Sequence, residues 1–309
     1  MFHEKARESF RLIAVLACLL IVLGVHATAD AQDRPQPFGQ PIKETEITTE
    51  RVEHMIDVGG RSLHCLVYGK GAPTVVLISG LNVPQSYWNS VVPNLAERAT
   101  VVTYDRPGIG KSELGDAPVH GEQSAKDLHV LLEKLGAPKP YVVVGHSYGG
   151  SVARLFVSKY PKDVGGLILE DCQHESILEE QRKLLKGQDL EALDNMAARM
   201  SNTANPKTEM DYNRITSEQL RSSAPLPKIP YVVITSGNRS KAVPPIFSEQ
   251  SREQLIALGM ELQKRLVNLI PGGKQIVAEG VGHNIHVERP EILLEPLNEM
   301  IGEVKGAKR

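Results

Sequence analysis

Short apolar runs separated by longer segments of helical periodicity constrain the fold of this chain more than any other feature. Runs of four to six residues rich in Val, Ile and Leu are typical of strands buried on both faces of a parallel sheet; they occur at residues 74–79, 100–104, 141–145, 167–170, 231–235 and 275–278. Crossover helices are predicted where apolar residues recur three and four positions apart between those runs, at residues 124–135, 151–160 and 249–269.

An antiparallel hairpin is predicted ahead of these strands. Apolar residues alternate with other residues on both sides of Gly59 and Gly60, a dipeptide that suits a tight turn. The sequence therefore predicts an α/β fold with a doubly wound, mostly parallel sheet and an antiparallel edge hairpin. We expect one such domain over residues 47–309.

A stretch at about residues 172–227 interrupts this alternation of strands and helices. It is polar, helix-prone over residues 177–200 and less regular afterwards, which predicts a helical cap inserted into the domain. An apolar stripe in the cap is interpreted as packing against the body, with lining of a substrate pocket as the alternative; it comprises Leu178, Leu184, Leu185, Leu190, Leu193, Met196 and Met200.

The N-terminal segment differs in kind from the rest of the chain. An apolar run of 14 residues follows three basic residues, Lys5, Arg7 and Arg11. Small residues then precede Gln32, as a signal peptidase requires. The sequence predicts a signal peptide over residues 1–31, cleaved near Ala31, and a proline-rich linker over residues 32–46.

The length of the apolar run bears on where the protein resides. A helix needs about 20 apolar residues to cross a bilayer, so we expect export to the periplasm or the medium without a stable membrane anchor. A retained anchor is the alternative.

Charge and cysteine content exclude several partners. The formal net charge is −2, and no basic stripe of the kind that binds nucleic acid is present in the sequence. Cys65 and Cys172 are predicted to be unpaired, buried thiols. The sequence carries no phosphate-binding loop, dinucleotide fingerprint or metal-ligand motif, so no cofactor or metal is expected.

The most informative motif is Gly145-His146-Ser147-Tyr148-Gly149. It follows a predicted strand and opens a predicted helix, which is the setting in which G-x-S-x-G forms a sharp turn that exposes the serine. The helix N-terminus behind the turn favours negative charge near the reacting group. Ser147 is therefore predicted to be a nucleophile.

Three segments together resemble the signatures of α/β-hydrolases: TVVTYDRPGIGKS at residues 100–112, VVVGHSYGGSVARLFVSKY at 142–160 and VGHNIHVERP at 281–290. They occur in the family's order, and the resemblance runs from about residue 58 to residue 301, apart from the cap. It implies that His283, directly after a glycine, is the general base, whereas His146 and His286 are structural. It also implies a loop-organising role for Asp105.

The resemblance also implies an oxyanion hole formed by the backbone N–H groups of Leu81 and Tyr148. The family usually has His-Gly before the first of these donors, and this chain has Ser79-Gly80. The backbone donor is unaffected by that difference.

The acid of the proposed triad departs from the commonest family pattern. Family members often place Asp three residues after the glycine that follows the strand at 231–235, where this chain has Ser240. A relocated acid is known in the fold at the end of the preceding strand, and there this chain has Asp171. Glu170, or a Ser–His dyad without an acid, are the alternatives, and Asp171 as a mere helix cap is another.

The function implied by the resemblance is that of an exported serine hydrolase. It would cleave a small-molecule carboxylic ester through an acyl-enzyme formed by Ser147, His283 and Asp171. Aminopeptidase, C–C hydrolase or acyltransferase chemistry on the same scaffold are alternatives, as is a non-catalytic binding protein. The acyl chain and the oligomeric state are not indicated by the sequence.

Overall fold

A computed structural model describes residues 49–201 and 206–307, without the side chain of Lys241. The predicted signal peptide and linker, residues 1–46, lie outside the described residues. The described strands are β1 Arg51–Asp57, β2 Ser62–Tyr68, β3 Thr74–Ile78, β4 Thr100–Tyr104, β5 Tyr141–His146, β6 Val164–Glu170, β7 Tyr231–Ser236 and β8 Lys274–Ala278.

These strands form one sheet in the order β1-β2-β4-β3-β5-β6-β7-β8. The β1–β2 and β2–β4 pairs are antiparallel, and every other pair is parallel. The predicted fold class, including the edge hairpin, is therefore confirmed. β6 begins three residues earlier than the predicted strand, because Gly165 and Gly166 interrupt its apolar pattern.

Helices flank the sheet on both faces. The described α-helices are α1 Val92–Ala96, α2 Gly121–Lys134, α3 Tyr148–Lys159, α4 Ile177–Leu184, α5 Gly187–Met200, α6 Asn213–Ser222, α7 Glu249–Val267, α8 Ile285–Glu288 and α9 Pro290–Gly306. Side chains of a strand alternate between faces. Accordingly, Val76 packs with Phe156 of α3 on one face, and Val75 packs with Leu297 of α9 on the other. The sheet is thus doubly wound.

The segment between β6 and β7 contains α4, α5 and α6. The first two fall within the predicted helical stretch, but α6 lies in the part expected to be less regular. The sequence missed α6 because its buried residues are only Thr216 and Leu220, and its other residues are mostly polar. Leu185 and Leu193 pack against Phe247 and Leu255, as the packing interpretation of the apolar stripe requires.

Two further observations concern the body of the domain. Cys65 and Cys172 are buried and unpaired, as predicted. Burial raises the pKa of the Cys65 thiol to about 12. In the part of the chain that the structure describes, no helix has the length and apolar character needed to cross a membrane.

Candidate active site

Ser147 occupies the sharp turn between β5 and α3 and has φ 53° and ψ −122°. Positive φ is uncommon for a residue with a Cβ and marks a strained turn. The flanking glycines make the turn possible: a Cβ on Gly149 would lie 2.2 Å from the Ile78 carbonyl oxygen, and one on Gly145 would lie 2.7 Å from the Gly149 carbonyl oxygen. The strand and helix thus hold the serine in the conformation that the motif predicts.

Asp171 and His283 meet at the carboxyl end of the parallel strands. Asp171 directly follows β6, and its Oδ2 lies 2.6 Å from Nδ1 of His283, in the loop between β8 and α8. The Asp171 side chain is 3% exposed and that of His283 is 29% exposed. The structure therefore brings together the predicted acid and the predicted base.

Two donors hold the other oxygen of the Asp171 carboxylate. Oδ1 accepts hydrogen bonds from the Ser236 amide at 3.1 Å and from Arg239 Nη1 at 2.6 Å. Burial alone would raise the pKa of Asp171, but the hydrogen bond and charge of His283, together with the Arg239 guanidinium and the Ser236 amide, bring the pKa below its ordinary value. Asp171 is consequently ionised and can only accept hydrogen bonds.

Arg239 is a site residue that the sequence reasoning missed. It lies two residues after Gly237, in the loop where α/β-hydrolases commonly carry the acid. This chain therefore has a cation in that loop and its carboxylate directly after β6. Gly259 of α7 makes room for it, since a Cβ at that position would lie 2.7 Å from Arg239 Nε. The sequence feature that could have indicated this role is an arginine in a loop that lacks the usual acid.

Glu170 precedes Asp171 and points to a different partner. It is fully buried and accepts hydrogen bonds from the backbone amide and Nδ1 of His286, each at 2.8 Å. Burial alone would raise the pKa of Glu170, but the charge and hydrogen bonds of His286 lower it overall. Glu170 thus braces the loop that carries His283.

His146 completes the buried support beneath that loop. Its Nε2 lies 3.0 Å from the His283 carbonyl oxygen, and only a protonated nitrogen can donate to a carbonyl. Burial, with a smaller contribution from His283, holds the pKa of His146 well below its ordinary value, so the ring is neutral.

Among the residues that the structure describes, two groups of side chains have the composition of a metal site. Potential ligand atoms of His146, Glu170 and His286 lie within 4.8 Å of one another. Nδ1 of His286 and the Glu170 carboxylate face each other in a hydrogen bond, however, and Trp88 stacks on the His286 ring at 4.2 Å. This group therefore fits a hydrogen-bonded support better than a coordination sphere.

The second group comprises His129, Glu133 and Asp163. The Lys139 ammonium lies 2.7 Å from the Glu133 carboxylate and 3.0 Å from that of Asp163. A side-chain cation thus already fills the space between these carboxylates.

The expected oxyanion donors belong to two segments next to Ser147. Tyr148 is the first residue of α3, and Leu81 follows Gly80 in the loop after β3. A Cβ on Gly80 would lie 3.5 Å from the Ser147 Cβ, so the two loops are adjacent. Over residues 49–201 and 206–307, the hydrogen bonds found do not engage either backbone N–H.

Asp105 organises a loop away from these residues. Its carboxylate accepts from the amides of Gln85 at 2.8 Å and Lys111 at 3.1 Å, and Oδ2 lies 2.9 Å from His64 Nδ1. A Cβ on Gly110 would lie 2.2 Å from Asp105 Oδ2. The contacts agree with the structural role expected for Asp105.

Comparison with known proteins agrees with this architecture. The sequence model of the alpha/beta hydrolase fold family matches residues 73–224. The uncharacterized protein YqjL of Bacillus subtilis (strain 168) is 25% identical over 237 residues, which cover 73% of this chain and 82% of YqjL. The soluble epoxide hydrolase of Corynebacterium sp. (strain C12) is 38% identical over 112 residues, only 36% of this chain and 38% of that enzyme.

Among solved structures, a thermophilic esterase from Thermogutta terrifontis superimposes with a TM-score of 0.56 and 22% identity, covering 82% of this chain and 99% of the esterase. The chain therefore has the α/β-hydrolase fold, and residues 73–224 match that family's sequence model. This likeness supports a hydrolase, and the choice among the reactions that this fold carries depends on the site.

Proposed function

We propose that this protein is an exported serine hydrolase that cleaves a carboxylic ester, with Ser147 as nucleophile, His283 as general base and Asp171 as the acid that orients it. The observation that carries the proposal is the 2.6 Å contact between Asp171 Oδ2 and His283 Nδ1, together with a serine at positive φ whose backbone amide donates to the carbonyl of Glu170, the residue before Asp171, at 3.0 Å. A serine nucleophile, a histidine base and an acid that orients the histidine are the groups that acyl transfer uses.

The state of His283 follows from its partner. Because ionised Asp171 only accepts, Nδ1 of His283 must carry a proton, so in the neutral imidazole the free lone pair lies on Nε2. A free Nε2 lone pair is what a general base needs to remove the proton from the Ser147 hydroxyl. Asp171 then stabilises the imidazolium that forms.

Acylation follows from these roles. As Nε2 of His283 takes the hydroxyl proton, Ser147 Oγ forms a bond to the ester carbonyl carbon and the carbonyl oxygen becomes an oxyanion. The N–H groups of Leu81 and Tyr148 stabilise that charge. The C–O bond then breaks, and the departing alkoxide takes the proton from His283 to leave as an alcohol.

Deacylation repeats the same steps with water. His283 takes a proton from water as the water oxygen attacks the acyl carbon. The Ser147 oxygen takes the proton back from His283 when the carboxylic acid product departs. The cycle uses no redox equivalent and returns every group to its starting protonation state.

The test of this function is a panel of p-nitrophenyl esters of increasing acyl length, beside peptide p-nitroanilides, with purified protein lacking residues 1–31. We expect the protein to hydrolyse at least one of the esters, and to hydrolyse the anilides no faster than that ester. Ser147→Ala is the matched variant, and its ester hydrolysis should fall by several orders of magnitude. Anilide cleavage without ester cleavage would contradict the proposal.

A further inference from the structure

Arg106, in the loop after β4, makes a set of buried contacts next to the proposed oxyanion donors. Its side chain is 1% exposed, and Nη1 donates to the Ser79 carbonyl while Nη2 donates to the Gly80 carbonyl, each at 2.6 Å. These carbonyls lie in the loop that presents the Leu81 amide. A buried cation thus holds the backbone immediately before a proposed oxyanion donor.

The second of these contacts acts directly on that donor. The Gly80 carbonyl and the Leu81 N–H belong to one peptide unit, which is planar and trans. In a trans peptide the C=O and N–H bonds point in opposite directions, so fixing the carbonyl on Arg106 fixes where the N–H points. A charged donor on the carbonyl also polarises the unit and strengthens the N–H as a donor.

The partner of Arg106 comes from the cap. Glu209, between α5 and α6, is 2% exposed at its side chain. Its Oε1 accepts from Arg106 Nε, and its Oε2 lies 3.0 Å from Arg106 Nη2. Oε2 also accepts from the Asn82 amide at 3.3 Å. One cap carboxylate therefore contacts both the buried arginine and the backbone just beyond Leu81.

The charge balance makes Glu209 necessary for this arrangement. An unpaired buried guanidinium is strongly disfavoured, and removing one partner of a buried ion pair is costly. Without Glu209, the Arg106 side chain lowers its free energy by rotating towards water or towards another acceptor. The Gly80 carbonyl then loses its hydrogen-bond donor. The guanidinium also lies 5.7 Å from the centre of the Tyr148 ring, so such a movement disturbs the packing of the second proposed donor.

We propose that Arg106 and Glu209 are positioning residues for the oxyanion hole, so that a cap residue controls the rate of the chemical step as well as access to the site. This inference rests on the proposed function. It predicts a defect in kcat that a purely structural ion pair does not produce.

The chain offers a matched control in a second ion pair between body and cap. Arg154 of α3 donates from Nη1 to Glu175 Oε2 at 2.7 Å and from Nη2 to Oε1 at 3.3 Å. Both side chains are largely buried, at 5% and 12% exposure. This pair does not contact the backbone of residues 79–82 among the described contacts, so it reports the cost of losing an ion pair of the same type.

The experiment compares Glu209→Gln with Glu175→Gln in the mature protein, using a p-nitrophenyl ester that the wild type cleaves. Glu209→Gln should lower kcat by roughly 10- to 100-fold with KM within about threefold, somewhat less than the 10²–10³ lost when an oxyanion donor is removed. Glu175→Gln should change kcat less than about threefold, although both variants lower Tm. Glu209→Asp, which keeps the charge on a shorter side chain, serves as a second variant if Glu209→Gln does not fold, and its kcat defect should be smaller than that of Glu209→Gln but larger than that of Glu175→Gln.

A second readout isolates the oxyanion hole. A trifluoromethyl ketone adds to the serine to give a tetrahedral adduct with an oxyanion. The affinity of the enzyme for this inhibitor should therefore fall together with kcat in the Glu209 variant and stay unchanged in the Glu175 variant. Equal kcat and inhibitor effects in the two variants overturn the inference while leaving the proposed function intact. Full activity of Ser147→Ala overturns the proposed function itself, and the inference with it.

Discussion

Replacement of Asp171 by Asn probes the feature on which this chain departs from its family. Oδ1 of Asp171 receives the Ser236 amide and the Arg239 guanidinium, both donors that require an acceptor. In Asp171→Asn the amide oxygen must therefore occupy that side, which turns the NH₂ group towards His283 Nδ1. Nδ1 then accepts, and the proton moves to Nε2.

The magnitude follows from that forced orientation. A histidine protonated at Nε2 cannot remove the serine proton, and an Asp-to-Asn change in a triad lowers kcat roughly 10⁴-fold through the wrong tautomer. At 1.36 kcal/mol per tenfold change, the barrier rises by about 5 kcal/mol. The measurement is kcat for a p-nitrophenyl ester at saturation, with circular dichroism to establish that the variant is folded.

The adjacent carboxylate provides the control for this prediction. Glu170→Gln alters the contacts to His286 instead of those to His283, so it should lower stability and leave kcat within about tenfold of the wild type, since polar-pair changes away from the reacting atoms act mainly on the fold. Full activity in Asp171→Asn together with an inactive, folded Glu170→Gln would refute the assignment of the two carboxylates.

Three other results are expected. Arg239→Gln removes a cation that lowers the pKa of Asp171, so that pKa should rise towards its unfolded value, and the stability that ionised Asp171 contributes above the unfolded pKa, and loses on acidification, should become smaller. The kcat should fall roughly 10- to 100-fold, the equivalent of the about 1.5–3 kcal/mol of a hydrogen bond to a charged group. Arg154 lowers the pKa of Glu175 from 4.5 to about 2. The contribution of Glu175 to the free energy of unfolding, at most about 3 kcal/mol, is therefore present above pH 4.5 and is lost as the pH falls towards 2. In urea titrations, Glu175→Gln should lose less free energy of unfolding between pH 4.5 and pH 2 than the wild type. Mass spectrometry of exported protein should find an N-terminus at Gln32, whereas a membrane-bound chain with residues 1–31 intact would contradict export.

The strands were predictable because burial on both faces leaves a continuous apolar run. Thr100–Tyr104 illustrates this, since every residue of the strand is buried and the bounds match the prediction. Helix α6 was not predictable in the same way. It packs through Thr216, whose hydroxyl accepts from the Gly121 amide, so its buried face has no apolar period.

The residues of the candidate site also differ in how well the sequence predicts them. Ser147 lies two residues from a glycine on each side, and His283 directly follows Gly282; these local motifs and the resemblance to a family fixed their roles in the prediction. The resemblance also directed attention to Asp171, and neighbouring residues at a strand end point apart, as Glu170 and Asp171 do. Arg239 and Glu209 escaped prediction because each pairs with a residue distant in sequence, 68 and 103 positions away respectively.

The nucleophile itself can be tested by one measurement, the mass of the peptide containing Ser147 after treatment of the mature protein with a fluorophosphonate. The account predicts a single phosphonyl adduct on Ser147, formed with loss of fluoride and accompanied by loss of ester hydrolysis, and no adduct in Ser147→Ala. An unmodified Ser147 in protein that the reagent has inactivated, or undiminished hydrolysis by Ser147→Ala, would contradict it.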